Sequence, residues 1–151
     1  MDFRKIGDTY YIRFDKGDEM VEGIKNICRK EGIVSAIYTG IGGCSSAEIQ
    51  TFNPQKGSFE TELFEGMLEL VAFTGNVIAG EDGVRNHHTH ALYAYVENGE
   101  HHVIGGHLKS STVLYTAEIE LRPVKGGAIH HELYPETGTH VWSFGSGDAA
   151  E

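Results

Sequence analysis

The stretch from residue 87 to residue 108 constrains the fold more than any other part of this sequence. It contains six of the nine histidines and, near its middle, the dipeptide Asn98-Gly99. Asparagine followed by glycine is preferred in two-residue β-turns of type I′, because both central positions need a positive φ. The stretch is therefore predicted to form a β-hairpin in which Glu97 faces Glu100.

The turn also determines which residues lie opposite each other. Counting outwards from it pairs Val96 with His101, Ala94 with Val103, Leu92 with Gly105, and His90 with His107. Opposed residues project to the same side of a sheet with Cβ atoms about 4.5–5.5 Å apart, and residues two apart share a face. His88, His90 and His107 are therefore predicted to converge at the end of the hairpin away from the turn.

Three imidazoles at this separation can direct their nitrogens at one centre, about 2.0–2.1 Å from each, as in protein zinc sites. The sequence therefore predicts a transition-metal site, with zinc as the expected ion and His88, His90 and His107 as ligands. Two alternatives remain open. In the first, the three histidines are half-buried and their hydrogen bonds are made with backbone carbonyls. In the second, a β-bulge at Gly105-Gly106 turns His107 to the other face.

The other six histidines are not predicted ligands. Three of them are expected at the surface or in the turn, namely His87, His101 and His102. His101 shares the ligand face in this register, but it lies near the turn and far along the strand. The sequence does not place the remaining three, which are His130, His131 and His140.

Both faces of the hairpin are apolar. The histidine face continues as core-like residues Leu92, Ala94, Val96 and Val103, and the other face has Ala91, Tyr93, Tyr95, Ile104 and Leu108. A sheet that is apolar on both sides has to be covered on both sides. Since the sequence predicts only one clear helix, the second face is expected to be covered by further copies of the chain in a homo-oligomer.

The rest of the chain is predicted to be mostly β-structure. Strands are expected at 9–14, 34–41, 47–52, 58–64, 66–76, 114–124 and 129–134. Acidic residues at 15–19 open a helix with an apolar stripe (Val21, Ile24, Ile27 and Cys28), and Gly32 is its expected stop. The predicted fold class is α+β, with a mostly antiparallel central sheet and one main helix, in a single domain over residues 1–151.

Several segments are predicted to connect these elements. Residues 40–43 are glycine-rich and are expected to form a tight turn or bulge; because no helix follows, phosphate binding is not expected. Residues 53–57 and 77–86 are predicted loops, and residues 109–113 a short connection. Residues 146–151 are predicted to be a frayed tail.

Composition excludes some functional classes. A formal net charge of −10 argues against a surface that holds nucleic acid by neutralising phosphates. No apolar run approaches the ~18 residues that a membrane helix needs, and the N-terminal residues lack the apolar region of an export signal. The two cysteines, Cys28 and Cys44, lie in unrelated contexts, which favours a reduced, cytoplasmic protein with Cys28 as a buried core thiol.

Several blocks resemble the plants-and-prokaryotes conserved (PPC) domain family. His88-Thr89-His90, the Asn98-Gly99 turn, and residues 105–108 and 116–118 are similar to its signature, and residues 40–52 and 66–76 are similar to two further blocks. The resemblance extends from about residue 9 to residue 144. It implies an α/β domain built on an antiparallel sheet and assembled as a homotrimer. In prokaryotic members it also implies a metal site at His88, His90 and His107.

Prokaryotic proteins that this chain resembles are often labelled as DNA-binding. The label derives from plant members of the family, which have an AT-hook in front of the domain. An AT-hook needs an Arg-Gly-Arg-Pro core, and this sequence contains none. Tight DNA binding is therefore not expected. In plant members the block similar to residues 66–70 contacts partners, which implies a role in assembly for it here.

Three functions remain open. The first is a metal-dependent enzyme, because three histidine ligands leave one position at which a water is activated near pH 7. Glu69 or Glu118 is then a candidate base. The sequence places neither of them near the metal, so no catalytic residue is assigned. The second is a binding or regulatory module, in which the metal stabilises the sheet edge or captures a small anionic ligand. The third is a DNA-binding regulator.

Overall fold

The computed structural model describes residues 1–80, 82–127, 129–135 and 139–144. Its elements, in chain order, are β1 (Asp2–Ile6), β2 (Thr9–Asp15), α1 (Met20–Lys30), β3 (Ser35–Asn53), β4 (Ser58–Ala79), β5 (Arg85–Glu97), β6 (Glu100–Pro123), β7 (His130–Tyr134) and β8 (Thr139–Ser143). This is the predicted α+β class with one helix among the described residues. β1 and β8 were not predicted from the sequence. The predicted frayed tail at 146–151 lies outside the described residues.

Strands β1 to β6 form the main sheet, in which every pairing is antiparallel. The order is β1-β2-β6-β3-β4-β5, and β5 pairs in addition with β6. Strands β3, β4, β5 and β6 therefore close on themselves as a ring of four. β7 and β8 form a separate two-stranded sheet, the C-terminal hairpin.

Three strands are longer than predicted. β3 runs through the glycine-rich residues, where the register with β4 shifts at a bulge between Gly40 and Gly42. A Cβ on Gly42 would lie only 2.6 Å from the Cα of Ala117, so glycine here permits close approach of β6. β4 continues to Ala79, into the predicted 77–86 loop. β6 includes the predicted connection at 109–113, accommodated by register shifts against β3.

The core lies between the curved sheet and α1. The helix begins where Glu19, its N-cap, accepts hydrogen bonds from the backbone N–H groups of Val21 and Glu22. Its predicted apolar stripe is buried against β5 and β6, and Cys28 is a fully buried thiol, as predicted. None of the helices in the described part of the chain has the length and apolar character needed to cross a bilayer.

The two faces of the β5–β6 hairpin differ in burial. Ala91, Tyr93 and Leu108 lie in the core, on the side that α1 covers. On the histidine face, Leu92 is 39% exposed, Val96 59% and Val103 64%. Of the two apolar faces, the histidine face is therefore the one that lacks cover within the chain. One helix covers one side of the sheet, and within a single chain the histidine face remains the outer face.

Candidate metal centre

The hairpin has the predicted turn and register. Asn98 and Gly99 adopt φ values of 52° and 83°, and His90 pairs with His107 without a register shift in between. The alternative of a bulge at Gly105-Gly106 is therefore wrong. A Cβ on Gly105 would lie 2.7 Å from the carbonyl oxygen of Ala91, and the glycine instead allows β5 to approach β6 closely.

Three histidines meet at the end of this hairpin, as the register predicts. The ring centroids of His90 and His107 are 4.2 Å apart, and the other two pairs are separated by 5.0 and 5.2 Å. One ring nitrogen from each of His88, His90 and His107 lies within 4.8 Å of the others. The Nε2 atoms of His88 and His90 are 3.3 Å apart. Ligands around a tetrahedral zinc are about 3.3 Å apart, so this group could hold a metal ion.

The protein environment favours the metal-binding form of two of these rings. Desolvation lowers the pKa of His88 and of His107, and repulsion from the neighbouring histidines lowers both further. A lowered pKa keeps imidazole neutral at pH 7, and only the neutral ring has a lone pair for a metal. His88 and His107 therefore release few protons on binding an ion.

Asn76 supplies a further observation that fits a metal. It lies directly opposite His88 in the β4–β5 pairing, so both side chains project to the same side. Its side chain is buried, and its Oδ1 has no hydrogen-bond partner among the residues described. Metal-bound histidines usually donate their second N–H to an oxygen acceptor. An unpaired acceptor on the same side of the sheet as His88 is the kind of partner that a metal-bound histidine uses.

A cavity of about 640 Å³ opens over the three histidines. Its described lining comes from four parts of the chain: Lys25 of α1, Gln50 and Phe59 of the β3–β4 region, Asn86, His87, His88, His90 and His107 of β5 and β6, and His131, Thr139, His140 and Val141 of the C-terminal hairpin. The rings of His131 and His140, which the sequence could not place, are 6.3 Å apart. The sequence has no periodic pattern that could have revealed that the C-terminal hairpin folds back and forms a wall of this cavity with His131 and His140.

His87 is part of this cavity rather than a surface or turn residue, so that prediction is wrong. It is half-buried, and its Nδ1 lies 2.8 Å from the Oγ1 of Thr89. Burial lowers the pKa of His87 to about 4. Strand alternation could have indicated this burial, because neighbouring residues on a strand point to opposite sides. His87 therefore points away from the side of His88, towards α1. His101 and His102 lie outside the described cavity lining; His102 stacks on Tyr95 at 5.2 Å.

The two candidate bases lie elsewhere. Glu69 pairs with Ala94, four residues along β5 from His90, which corresponds to about 13 Å. Glu69 and Glu118 line a separate shallow cavity on the outer face with Ile41, Met67 and Tyr115. Within one chain, neither carboxylate is placed to act as a base at the histidines. The enzyme hypothesis has an open cavity but no carboxylate base among the described residues that line it.

The sequence profile of the Plants and Prokaryotes Conserved (PCC) domain, the family abbreviated PPC above, matches residues 1–125. The chain belongs to this family. A PPC protein from Pyrococcus horikoshii is similar over 94% of both chains, with 34% sequence identity and a TM-score of 0.78. The resemblance expected from the sequence blocks is thereby confirmed, and the sequence profile ends before the C-terminal hairpin begins.

Two further solved structures share the PPC fold. A metal-containing protein from Archaeoglobus fulgidus is 28% identical with a TM-score of 0.77, over 95% of this chain and 99% of that chain. A protein of Bacteroides thetaiotaomicron, provisionally named as DNA-binding, is 22% identical with a TM-score of 0.84, over 95% and 96%. At that identity the second similarity shows the fold alone. A search of curated proteins finds no significant match.

Proposed function

We propose that this PPC protein binds about one transition-metal ion per chain, most simply zinc, through His88, His90 and His107. The convergence of three imidazole nitrogens within 4.8 Å of one another is the observation that supports this function most directly. The unpaired Oδ1 of Asn76 beside His88 and the similarity to a metal-containing archaeal protein add support. Three neutral ligands leave a fourth position for water or a small anion.

Tag-free protein after mild dialysis is expected to contain about one metal ion per chain by elemental analysis. Protons compete with the metal for imidazole, so occupancy should fall as the pH is lowered. Because the pKa of both His88 and His107 lies below the ordinary value, half-loss is expected below the unperturbed value of about 6.5. A clearly substoichiometric metal content at neutral pH would contradict the proposal.

We also propose that the PPC protein assembles as a homotrimer. The support is the outer face, on which large apolar side chains are exposed in one chain: Ile41, Met67, Val71, Leu92, Val96, Val103 and Tyr115. Soluble monomers rarely leave so much contiguous apolar surface in water. Closed cyclic assemblies cover such a face with copies of the same chain, and a trimer is the arrangement that the family resemblance implies.

Tight binding to duplex DNA is not expected, although a structural relative is provisionally named as DNA-binding. The formal net charge of −10 repels a polyanion, and affinity for DNA depends on neutralising its phosphates. In a mobility-shift titration at ~150 mM salt, the protein should leave a duplex fragment unshifted at micromolar concentration. A submicromolar, salt-dependent shift would overturn this expectation and favour a regulator of transcription.

A further inference from the structure

We propose that the cavity over the three histidines is a binding site for a small organic carboxylate, which occupies the open position of the metal. This inference rests on the proposed metal site and specifies what that site receives. Four features support it: the charge of the cavity, the mixture of groups that line it, its size, and the residues of its outer wall.

The charge of the cavity differs from that of the whole molecule. None of the described residues that line it is acidic, although the chain has a formal net charge of −10. Imidazole ligands are neutral, so a divalent ion held by His88, His90 and His107 keeps both of its positive charges. Lys25 adds a positive charge, which Glu22 offsets in part because its carboxylate lies 2.7 Å from the Lys25 Nζ. The loaded cavity therefore attracts an anion.

The lining favours a carboxylate with a short organic part. Phosphate is usually held by arginine, by glycine-rich loops or by helix N-termini, and the described lining has neither arginine nor glycine. Gln50 and Asn86 offer amide N–H donors; one N–H of Gln50 is donated to Thr61, which leaves the second. Phe59 and Val141 offer apolar surface. A carboxylate oxygen on the metal, with its organic part against these two side chains, uses both kinds of group.

The size of the cavity agrees with such a ligand. Sites for small molecules commonly have volumes of about 300–1,000 Å³, and this cavity has about 640 Å³. That volume accommodates a carboxylate of a few carbon atoms together with some water. A macromolecular anion is not expected to enter.

The outer wall of the cavity comes from the C-terminal hairpin, which contributes His131, Thr139, His140 and Val141. The family profile ends at residue 125, before this wall begins, whereas the three metal ligands lie inside the profile; the structural similarity to the Pyrococcus horikoshii protein, over 94% of the chain, reaches into the hairpin. We assign ligand choice to the wall because it lines the same cavity as the metal ligands and contributes the apolar side chain of Val141. The metal supplies the attraction for a carboxylate, and the hairpin determines which organic part fits beside it.

The test uses the full-length protein loaded with Co²⁺, whose visible absorption reports on the ligand at the open position. Propionate is the probe, with propionamide as its neutral counterpart and inorganic phosphate as the competing anion. Propionate should change the spectrum saturably, with an affinity at least about tenfold higher than that of either comparison compound. Co²⁺ content is measured separately on the same samples.

Two matched variants locate the ligand. Val141→Asp places a carboxylate in the cavity wall and should weaken propionate binding by about tenfold or more, because like charges repel strongly at this range. Phe144→Asp adds the same charge at the end of the same hairpin, at an apolar residue that is 56% exposed and outside the described cavity lining. It should leave propionate affinity unchanged. Both variants should retain cobalt.

Four results would overturn the inference and leave the metal site standing. These are no spectral change with propionate in cobalt-loaded wild type, equal binding of propionamide, equal binding of phosphate, or equal weakening by both aspartate variants. If either hairpin variant fails to fold, as judged by circular dichroism, the wild-type titrations decide the question alone. Failure of the wild type to bind cobalt would contradict the proposed metal function itself, and the carboxylate inference with it.

Discussion

Replacing His90 with alanine is expected to reduce the bound metal from about one ion per chain to near zero. His90 lies between the other two ligands: its ring centroid is 4.2 Å from that of His107, and its Nε2 is 3.3 Å from that of His88. Losing even an outer hydrogen-bond partner of a metal ligand typically costs about 10–100-fold in affinity. Loss of a ligand should cost more, so the metal should not survive dialysis.

His101→Ala and His131→Ala are the matched controls, and both should keep the full metal content. His101 lies opposite Val96 on the ligand face, but six residues along β6 from His107, which is about 20 Å. His131 lines the cavity yet lies outside the group of three converging nitrogens. Elemental analysis of the three variants beside wild type decides the matter. Unchanged metal in His90→Ala, or equal loss in His101→Ala, would show adventitious binding to a histidine-rich chain.

Val103→Asp is expected to convert the proposed trimer into a monomer. Light scattering on a size-exclusion peak should show the mass falling from roughly three times 16.6 kDa to about that of one chain. Val103 is 64% exposed on the outer face, beside the exposed side chains of Leu92 and Val96. Burying an unpaired carboxylate in an apolar interface costs several kcal/mol per ion. A cyclic assembly repeats that cost at every interface.

Gln55→Asp controls for the added charge, because it lies on the exposed loop between β3 and β4 and away from the outer apolar patch. Its mass should equal that of wild type. Val103→Asp should also keep its metal, since all three ligands come from one chain, and this shows that the variant is folded. A monomeric wild type at micromolar concentration would mean that the trimer proposal is wrong and the outer face is covered in another way.

The register of the hairpin could be predicted because a two-residue turn determines the pairing of everything that follows it. That pairing brought His88, His90 and His107 together without any knowledge of the remaining fold. The lengths of the strands could not be predicted in the same way. Gly40 and Gly42 give a local turn signal, but both lie within one strand, β3. Glycine is needed at these positions because β6 approaches too closely for a side chain.

The burial of the hairpin faces shows a second limit. Alternation along β5 and β6 reveals two apolar faces, but it contains no information about which of them meets the helix. Packing of α1 on β5 and β6 decided this: Ala91 and Tyr93 are buried in the core, and Leu92 and Val103 remain exposed within one chain. The side on which a distant element packs depends on contacts between residues far apart in sequence.

By itself, the sequence determined the α+β class, the hairpin, its register and the three converging histidines, since all of these follow from turn chemistry and strand alternation over a few neighbouring residues. Tertiary structure alone decided what surrounds the histidines. It brought Lys25 from the helix, the buried Asn76 from β4, and the His131 and His140 wall from the C-terminal hairpin to the same place. The physical reason is that these neighbours are positioned by long-range strand pairing and packing, which leave no periodic pattern in the residues themselves.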